Sequence, residues 1–362
     1  MILYDNNNPI ANASGYNNYG VLHFTGILLN CDDEIEYLLS ILTENEQDCI
    51  DAIQNLEGQF ALVWKTDLFC IATTDFSLTR FLYRKDNNIS TRSQDNYDLL
   101  LSNTIYVYKS NLDLKNTIPF FKNYSSEPTY DSFNLLINSL NETLAKLNKK
   151  QNPLTLFLSE GIDSGLLHCM MLHNNITFNV INYQRYPIQP VTLAIIKKRM
   201  SIHKSFTSSE FKVIYDTVHD EGLGPEYFNT SNATPDDNIV LVGCNADRIF
   251  TDYGFRGKKL DKENNQSRWG GIFPENLHEH ENYWINKNSV DLMSKLMPTF
   301  ANKEEKVFDV FATKQTIIEW YKIKSFIKNN QTYKQWMIEY SRSVSSAYPN
   351  ITSSKNGIQI SN

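Results

Sequence analysis

The segment covering residues 154–167 sets the tightest limits on what this chain can fold into. Leu154-Thr155-Leu156-Phe157-Leu158 is a short apolar run suited to a buried strand. Ser159-Glu160-Gly161-Ile162-Asp163 follows as a tight polar turn, and an apolar helix is expected over residues 164–173. A strand that turns directly into a helix aims the helix's unpaired N–H groups and its positive end at one spot, which suits an anion. Ser159 and Ser164 add hydroxyl donors, and Gly161 permits close backbone approach or a positive φ. Asp163 is of the type that holds a Mg²⁺ ion between phosphate oxygens. The plainer alternative is an ordinary strand–helix turn with Ser164 as the helix N-cap.

Around this segment strands and helices alternate. Residues 177–182 and 239–242 read as further strands; 130–148, 192–200 and 208–219 read as helices. That alternation predicts an α/β domain with a doubly wound parallel sheet, its ligand at the carboxyl ends of the strands. The first ~110 residues read differently, as a β-rich core. Strand-like runs at 19–29, 59–64, 68–73 and 81–84 are joined by turns, with one amphipathic helical stretch at 33–55. Polar residues 122–128 read as a linker, so two domains are expected, 1–118 and 125–362.

Composition narrows the partners. Of 362 residues, 34 are Lys or Arg and 41 are Asp or Glu, giving a net charge of −7, the wrong sign for a dedicated nucleic-acid binder. No stretch reaches the ~18 apolar residues that span a bilayer, so no membrane partner is expected. The opening Met1-Ile2-Leu3-Tyr4-Asp5 lacks the basic and apolar regions of a secretory signal. The 5 cysteines are scattered without CxxC spacing, so the expectation is a reduced, cytoplasmic protein.

With Ser159, Gly161, Asp163 and Ser164 in register, the turn resembles the Ser-Gly-Gly-x-Asp-Ser signature of pyrophosphate-loop ATP enzymes, and within them the asparagine synthetase family. Three further segments match in order. Leu56-Glu57-Gly58-Gln59-Phe60-Ala61-Leu62, with Asp75 and Arg80-Phe81-Leu82-Tyr83, resembles the end of that family's glutaminase domain. Val240-Leu241-Val242-Gly243-Cys244-Asn245-Ala246-Asp247-Arg248-Ile249-Phe250, then Tyr253-Gly254, resemble its second ATP-site motif, and Ser353-Ser354-Lys355-Asn356-Gly357-Ile358 its C-terminal Lys-x-Gly segment. The resemblance implies an N-terminal Ntn-type sandwich, a degenerate glutaminase, followed by a pyrophosphate-loop synthetase domain. It also implies an ATP-dependent ligase that adenylates a carboxylate, releases pyrophosphate and forms an amide. ATP and Mg²⁺ are the implied cofactors. Ser159, Glu160, Gly161, Ile162, Asp163, Ser164 and Gly243 would bind the nucleotide, Asp163 and Asp247 the metal, with Lys355 and Cys244 catalytic.

The departures decide what kind of member this resembles. The family's glutaminase uses a cysteine at the mature N-terminus, whereas the first cysteine here is Cys31. Unless a pro-segment is cleaved, glutamine is then not the expected ammonia source. The expected acceptor is a substrate amine or free ammonia, as in beta-lactam synthetases and lasso-peptide cyclases, and the donor a small-molecule or peptide carboxylate. Glu160 stands where the family has Gly. A carboxylate ~4 Å from a phosphate charge would repel it by ~4 kcal/mol at an effective dielectric of 20. Three arrangements remain open: Glu160 points away, helps hold Mg²⁺, or marks a site that no longer binds ATP. Arg248 replaces a usual acid, and Cys244 replaces the Glu or Tyr tied to deprotonating the amine, so it is either a weak base or a structural thiol. His278 and His280 share a strand face but lack a third metal ligand. Residues 268–275 are a candidate acceptor pocket, and Arg256, Lys258 and Lys259 candidate phosphate contacts. His168 and His173, five apart on the helix, do not share a face and read as core or surface. The sequence does not show the oligomeric state.

Overall fold

The computed structural model of the protein describes residues 13–91, 96–121, 129–185, 190–216, 237–244, 246, 306–324, 327, 330–354 and 357–361. The chain divides into two compact units, residues 1–123 with 304–306 and residues 124–303 with 307–362. Antiparallel sheets build the first and a parallel sheet the second, so the fold is mixed α/β.

In the first unit, strands β1 (Ala13–Tyr16), β2 (Gly20–Leu28), β3 (Gly58–Thr66), β4 (Phe69–Thr74), β8 (Thr104–Lys109) and β9 (Leu114–Pro119) form an antiparallel sheet in the order β1-β2-β3-β4-β8-β9. A smaller sheet of β5 (Leu82–Lys85), β6 (Asn88–Ser90) and β7 (Asp98–Leu100) packs on one face through Leu82, Ile89 and Leu100 against Ala61, Val63, Cys70 and Ala72. The helices α1 (Glu34–Ile41) and α2 (Glu46–Gln54) belong to the other face, where the Trp64 indole N–H donates to Thr43 O at 3.2 Å. Cover on both faces explains why β4 is buried at every position instead of alternating. The single amphipathic stretch expected at 33–55 is two helices. Asn45 breaks it, its side-chain oxygen capping α2 by accepting from Gln47 N at 3.0 Å and Asp48 N at 3.3 Å.

Just past β4, Asp75 is fully buried and accepts the N–H groups of Phe60 at 3.0 Å and Ser77 at 2.8 Å. Burial pushes its carboxyl up to about 6. The next turn holds buried Leu78 at φ 58°, a left-handed conformation that costs a leucine about 1–2 kcal/mol and survives only because packing fixes it.

The second unit is built on β10 (Leu154–Phe157), β11 (Phe178–Arg185), β12 (Phe211–Asp216), β13 (Ile239–Val242) and β14 (Val307–Asp309), all parallel, in the order β12-β11-β10-β13-β14. Counted within this sheet the order is 3-2-1-4-5, a doubly wound arrangement that switches direction between β10 and β13. A buried bond from Asn238 Nδ2 to Thr155 Oγ1 at 2.7 Å pins these two strands together. The helices are α3 (Asn134–Lys149), α4 (Ile162–His173), α5 (Pro190–Phe206), α6 (Lys314–Lys322) and α7 (Asn330–Val344), followed by the hairpin β15 (Asn350–Ser354) and β16 (Gly357–Ser361). Helices α3 and α6 meet through Ser139 Oγ and Thr316 Oγ1, 2.9 Å apart.

Two expectations for this unit are corrected. Residues 211–216, expected as part of a helix, form the edge strand β12; Phe211, Val213, Ile214 and Tyr215 suit a pleated surface better than a helix interior. Helix α4 starts at Ile162 and not Ser164, with Gly161 at the N-cap position, so Ser164 is not the cap.

Candidate anion-binding site

The 159–164 corner leaves the carboxyl end of β10 beside the switch point, where doubly wound sheets leave a crevice for ligands. Its root is held on the β11 side. Leu158 N donates to Ile181 O at 2.9 Å, and the buried Asn182 amide donates to Leu158 O. Gln184 Nε2 in turn donates to Asn182 Oδ1 at 2.9 Å, orienting that amide.

Within the corner the two serines brace each other. Ser159 Oγ and Ser164 Oγ are 2.9 Å apart, Ser159 N donates to Ser164 Oγ at 3.1 Å, and Gly161 N donates to Ser159 Oγ at 3.1 Å. The hydroxyls therefore shape the turn from inside in this structure. Asp163 and Ile162 lie in the first turn of α4, both half-buried, and Glu160 is half-buried beside them.

Beneath the corner lies Arg199 of α5, only 1% exposed. Its guanidinium donates to Ser159 O and, at 3.1 Å, to Gly161 O. A trans peptide holds each C=O antiparallel to the next residue's N–H. Pulling the carbonyls of Ser159 and Gly161 inward thus turns the N–H groups of Glu160 and Ile162 away from the guanidinium, next to the first turn of α4. Two backbone donors thus face away from a buried cation, an arrangement suited to an oxyanion. No carboxylate among the described residues pairs with Arg199. Gly165 makes room for it, since a Cβ there would lie 2.7 Å from Arg199 Nη2.

Behind Arg199, the same two helices bury a polar chain. His168 Nδ1 is 2.9 Å from Tyr348 Oη, and His168 Nε2 is 3.2 Å from His203 Nδ1. Burial, reinforced by His203 and Arg199, holds His168 well below the usual imidazole range; burial also lowers His203 and raises the Tyr348 phenol. One proton per neutral ring satisfies the chain in either direction. Arg199, His203 and Tyr348 were not singled out in the sequence. The signal was there: Ile195, Ile196, Arg199, Ile202 and His203 form the buried stripe of α5, so a cation and an imidazole stand where apolar residues belong.

Across the switch point, Gly243 directly follows β13. A Cβ on it would lie 3.0 Å from the Phe311 ring and 3.5 Å from Leu167 of α4, so this glycine lets β13's end pack against the helix that leaves the corner. Cys244 follows, half-buried and not in a disulfide. The sheet thus brings Gly243 and Cys244 to the same end as residues 159–164. Asp247, Lys355, Arg248, Arg256, Lys258, Lys259, His278, His280, and segments 122–128 and 268–275 lie outside the described residues. Asp163 is the one expected metal ligand within them.

The class this geometry defines is a doubly wound α/β unit with a strand–helix corner at its switch point. No family model matches the chain, and no curated protein matches it. Two solved structures are similar at 11% identity and a TM-score of 0.25. One is described as the allosteric regulatory enzyme of purine biosynthesis, with 55% of this chain and 61% of that chain covered. The other is glutamine phosphoribosylpyrophosphate amidotransferase from B. subtilis complexed with ADP and GMP, with 56% and 47% covered. This chain therefore spans about half to three-fifths of those chains, and at that TM-score the likeness carries no argument about activity. Among the described residues no helix is long and apolar enough to cross a membrane.

Proposed function

We propose that the chain holds the phosphates of ATP at the 159–164 corner and is a ligase that adenylates a carboxylate, releasing pyrophosphate and forming an amide without glutamine hydrolysis. One observation carries the reading: outward-facing backbone donors at the switch point of a doubly wound sheet, backed by a buried guanidinium that no described carboxylate neutralises. What supports a phosphate chain there is the pairing of backbone donors with the positive potential of a buried guanidinium. When bound, ATP supplies the activation: its α-phosphate accepts the carboxylate oxygen and pyrophosphate leaves.

In this reading the chain's own residues bind and orient. The N–H groups of Glu160 and Ile162 and the start of α4 receive phosphate oxygens, and Gly161 keeps the approach clear of a side chain. Asp163 would hold Mg²⁺, with Asp247 as the second ligand. Lys355 would bring positive charge to the developing oxyanion. Cys244, just past β13, would as a thiolate take the amine's proton.

The test is calorimetry of the full chain with ATP and Mg²⁺, followed by exchange of labelled pyrophosphate into ATP in the presence of candidate carboxylates. Micromolar binding and carboxylate-dependent exchange are expected, with Asp163→Ala lowering exchange at least a hundredfold. Absence of nucleotide binding defeats the reading. Binding with no exchange for any carboxylate would leave a non-catalytic nucleotide-binding protein.

A further inference from the structure

We infer that Arg199 is a positioning residue that ties the 159–164 corner to the C-terminal hairpin and sets the corner's affinity for polyanions from below. The inference rests on the reading of that corner as a phosphate site. Besides Ser159 O and Gly161 O, the guanidinium donates to Pro349 O at 3.3 Å. Pro349 immediately precedes β15, and the strands of the hairpin run against α4 and α5. The guanidinium also lies over the Tyr348 ring, 5.1 Å from its centroid. One rigid fork therefore fixes two loop carbonyls and the root of the hairpin at once. A lysine, a point charge on a flexible stem, cannot do this.

The charge has a second consequence. A buried cation whose contacts are carbonyl dipoles and a ring is costly unless a counter-charge approaches. Among the described residues its Nε has no hydrogen-bond partner either. A polyanion on the outer side of the loop supplies the counter-charge. At an effective dielectric of 20 and a separation of ~8 Å, Coulomb's law gives about thirtyfold in affinity per unit charge.

The experiment compares wild type, Arg199→Met and Arg199→Lys as full chains. Inorganic pyrophosphate, with and without Mg²⁺, is titrated calorimetrically. Arg199→Met should bind at least ~tenfold more weakly, and Arg199→Lys, which keeps the charge, should lose less. A structural role alone would make both variants lose affinity in step with their melting temperatures. Hydrogen–deuterium exchange on the unliganded proteins supplies an arm independent of any ligand. Both substitutions should speed exchange in residues 158–165 and 350–361 together, leaving 58–66 unchanged. Wild-type pyrophosphate affinity in Arg199→Met, or faster exchange in only one of the two segments, overturns the inference. If Arg199→Met does not fold, Arg199→Lys decides through the same exchange comparison. Wild type that binds neither pyrophosphate nor ATP defeats the phosphate reading and the charge half of the inference, while exchange still decides the tie to the hairpin.

Discussion

Gly165 is the residue on which the corner's geometry turns. It sits inside α4, where alanine would ordinarily stabilise the helix by up to about 1 kcal/mol. Here the added methyl would strike Arg199 Nη2, and the buried guanidinium has nowhere to retreat without leaving the loop carbonyls. Gly165→Ala should therefore destabilise the protein by about 1–3 kcal/mol in chemical denaturation and weaken pyrophosphate binding. An unchanged or higher midpoint would show that the neighbourhood yields. At this scale the sequence was only partly legible. The Ser-x-Gly-x-Asp-Ser pattern located the corner, but the serines' use as internal braces, and a cation reaching it from 40 positions away, depend on packing that no local pattern encodes. Glu160 is placed beside the donors, half-buried, as its position in the turn required.

At the level of elements, periodicity worked where a run had one environment and failed where two patterns overlapped. The apolar runs at 154–158 and 239–242 gave strands within a residue of the structure, because strands covered on both faces are apolar throughout. Residues 208–219 misled because Phe211, Val213, Ile214 and Tyr215 can be counted along a helix as well as a strand, and pairing with β11 decided the matter. In residues 33–55 the apolar spacing ran across a break that only a cap reveals. That cap is testable: Asn45→Ala should cost about 1 kcal/mol in urea unfolding, while Asn45→Ser or Asn45→Asp should retain most of it. No loss in Asn45→Ala would mean that α2 is held by packing alone.

For the molecule as a whole, two buried groups tie stability to pH in opposite senses. Asp75, raised from 3.8 to about 6, binds its proton more tightly folded than unfolded. Its contribution is greatest at low pH and falls by up to about 3 kcal/mol as pH rises through that window. His168 is held below 6.5, so the unfolded chain takes up its proton first, and stability is lost as pH falls below 6.5. The two slopes oppose each other between about pH 4 and 6.5. Thermal melts should show Asp75→Asn becoming more acid-labile than wild type. His168→Phe should be less stable throughout but shallower in its acid loss, with His203 and His23, both also lowered by burial, contributing to the residual slope. Identical pH profiles for all three proteins would contradict the buried, neutral assignments.

The sheet order carries one more consequence, for how the protein is made. Strand β10 is the first of its sheet to leave the ribosome yet ends at the centre, and its β13 flank arrives only with residues 239–242. Until then the nascent chain presents one open side of that strand. The corner itself is braced by Arg199, which also grips Pro349 near the end of the chain, so it is finished late, and an anion that fits it should act as a pharmacological chaperone, raising the yield of refolded protein without touching the early steps.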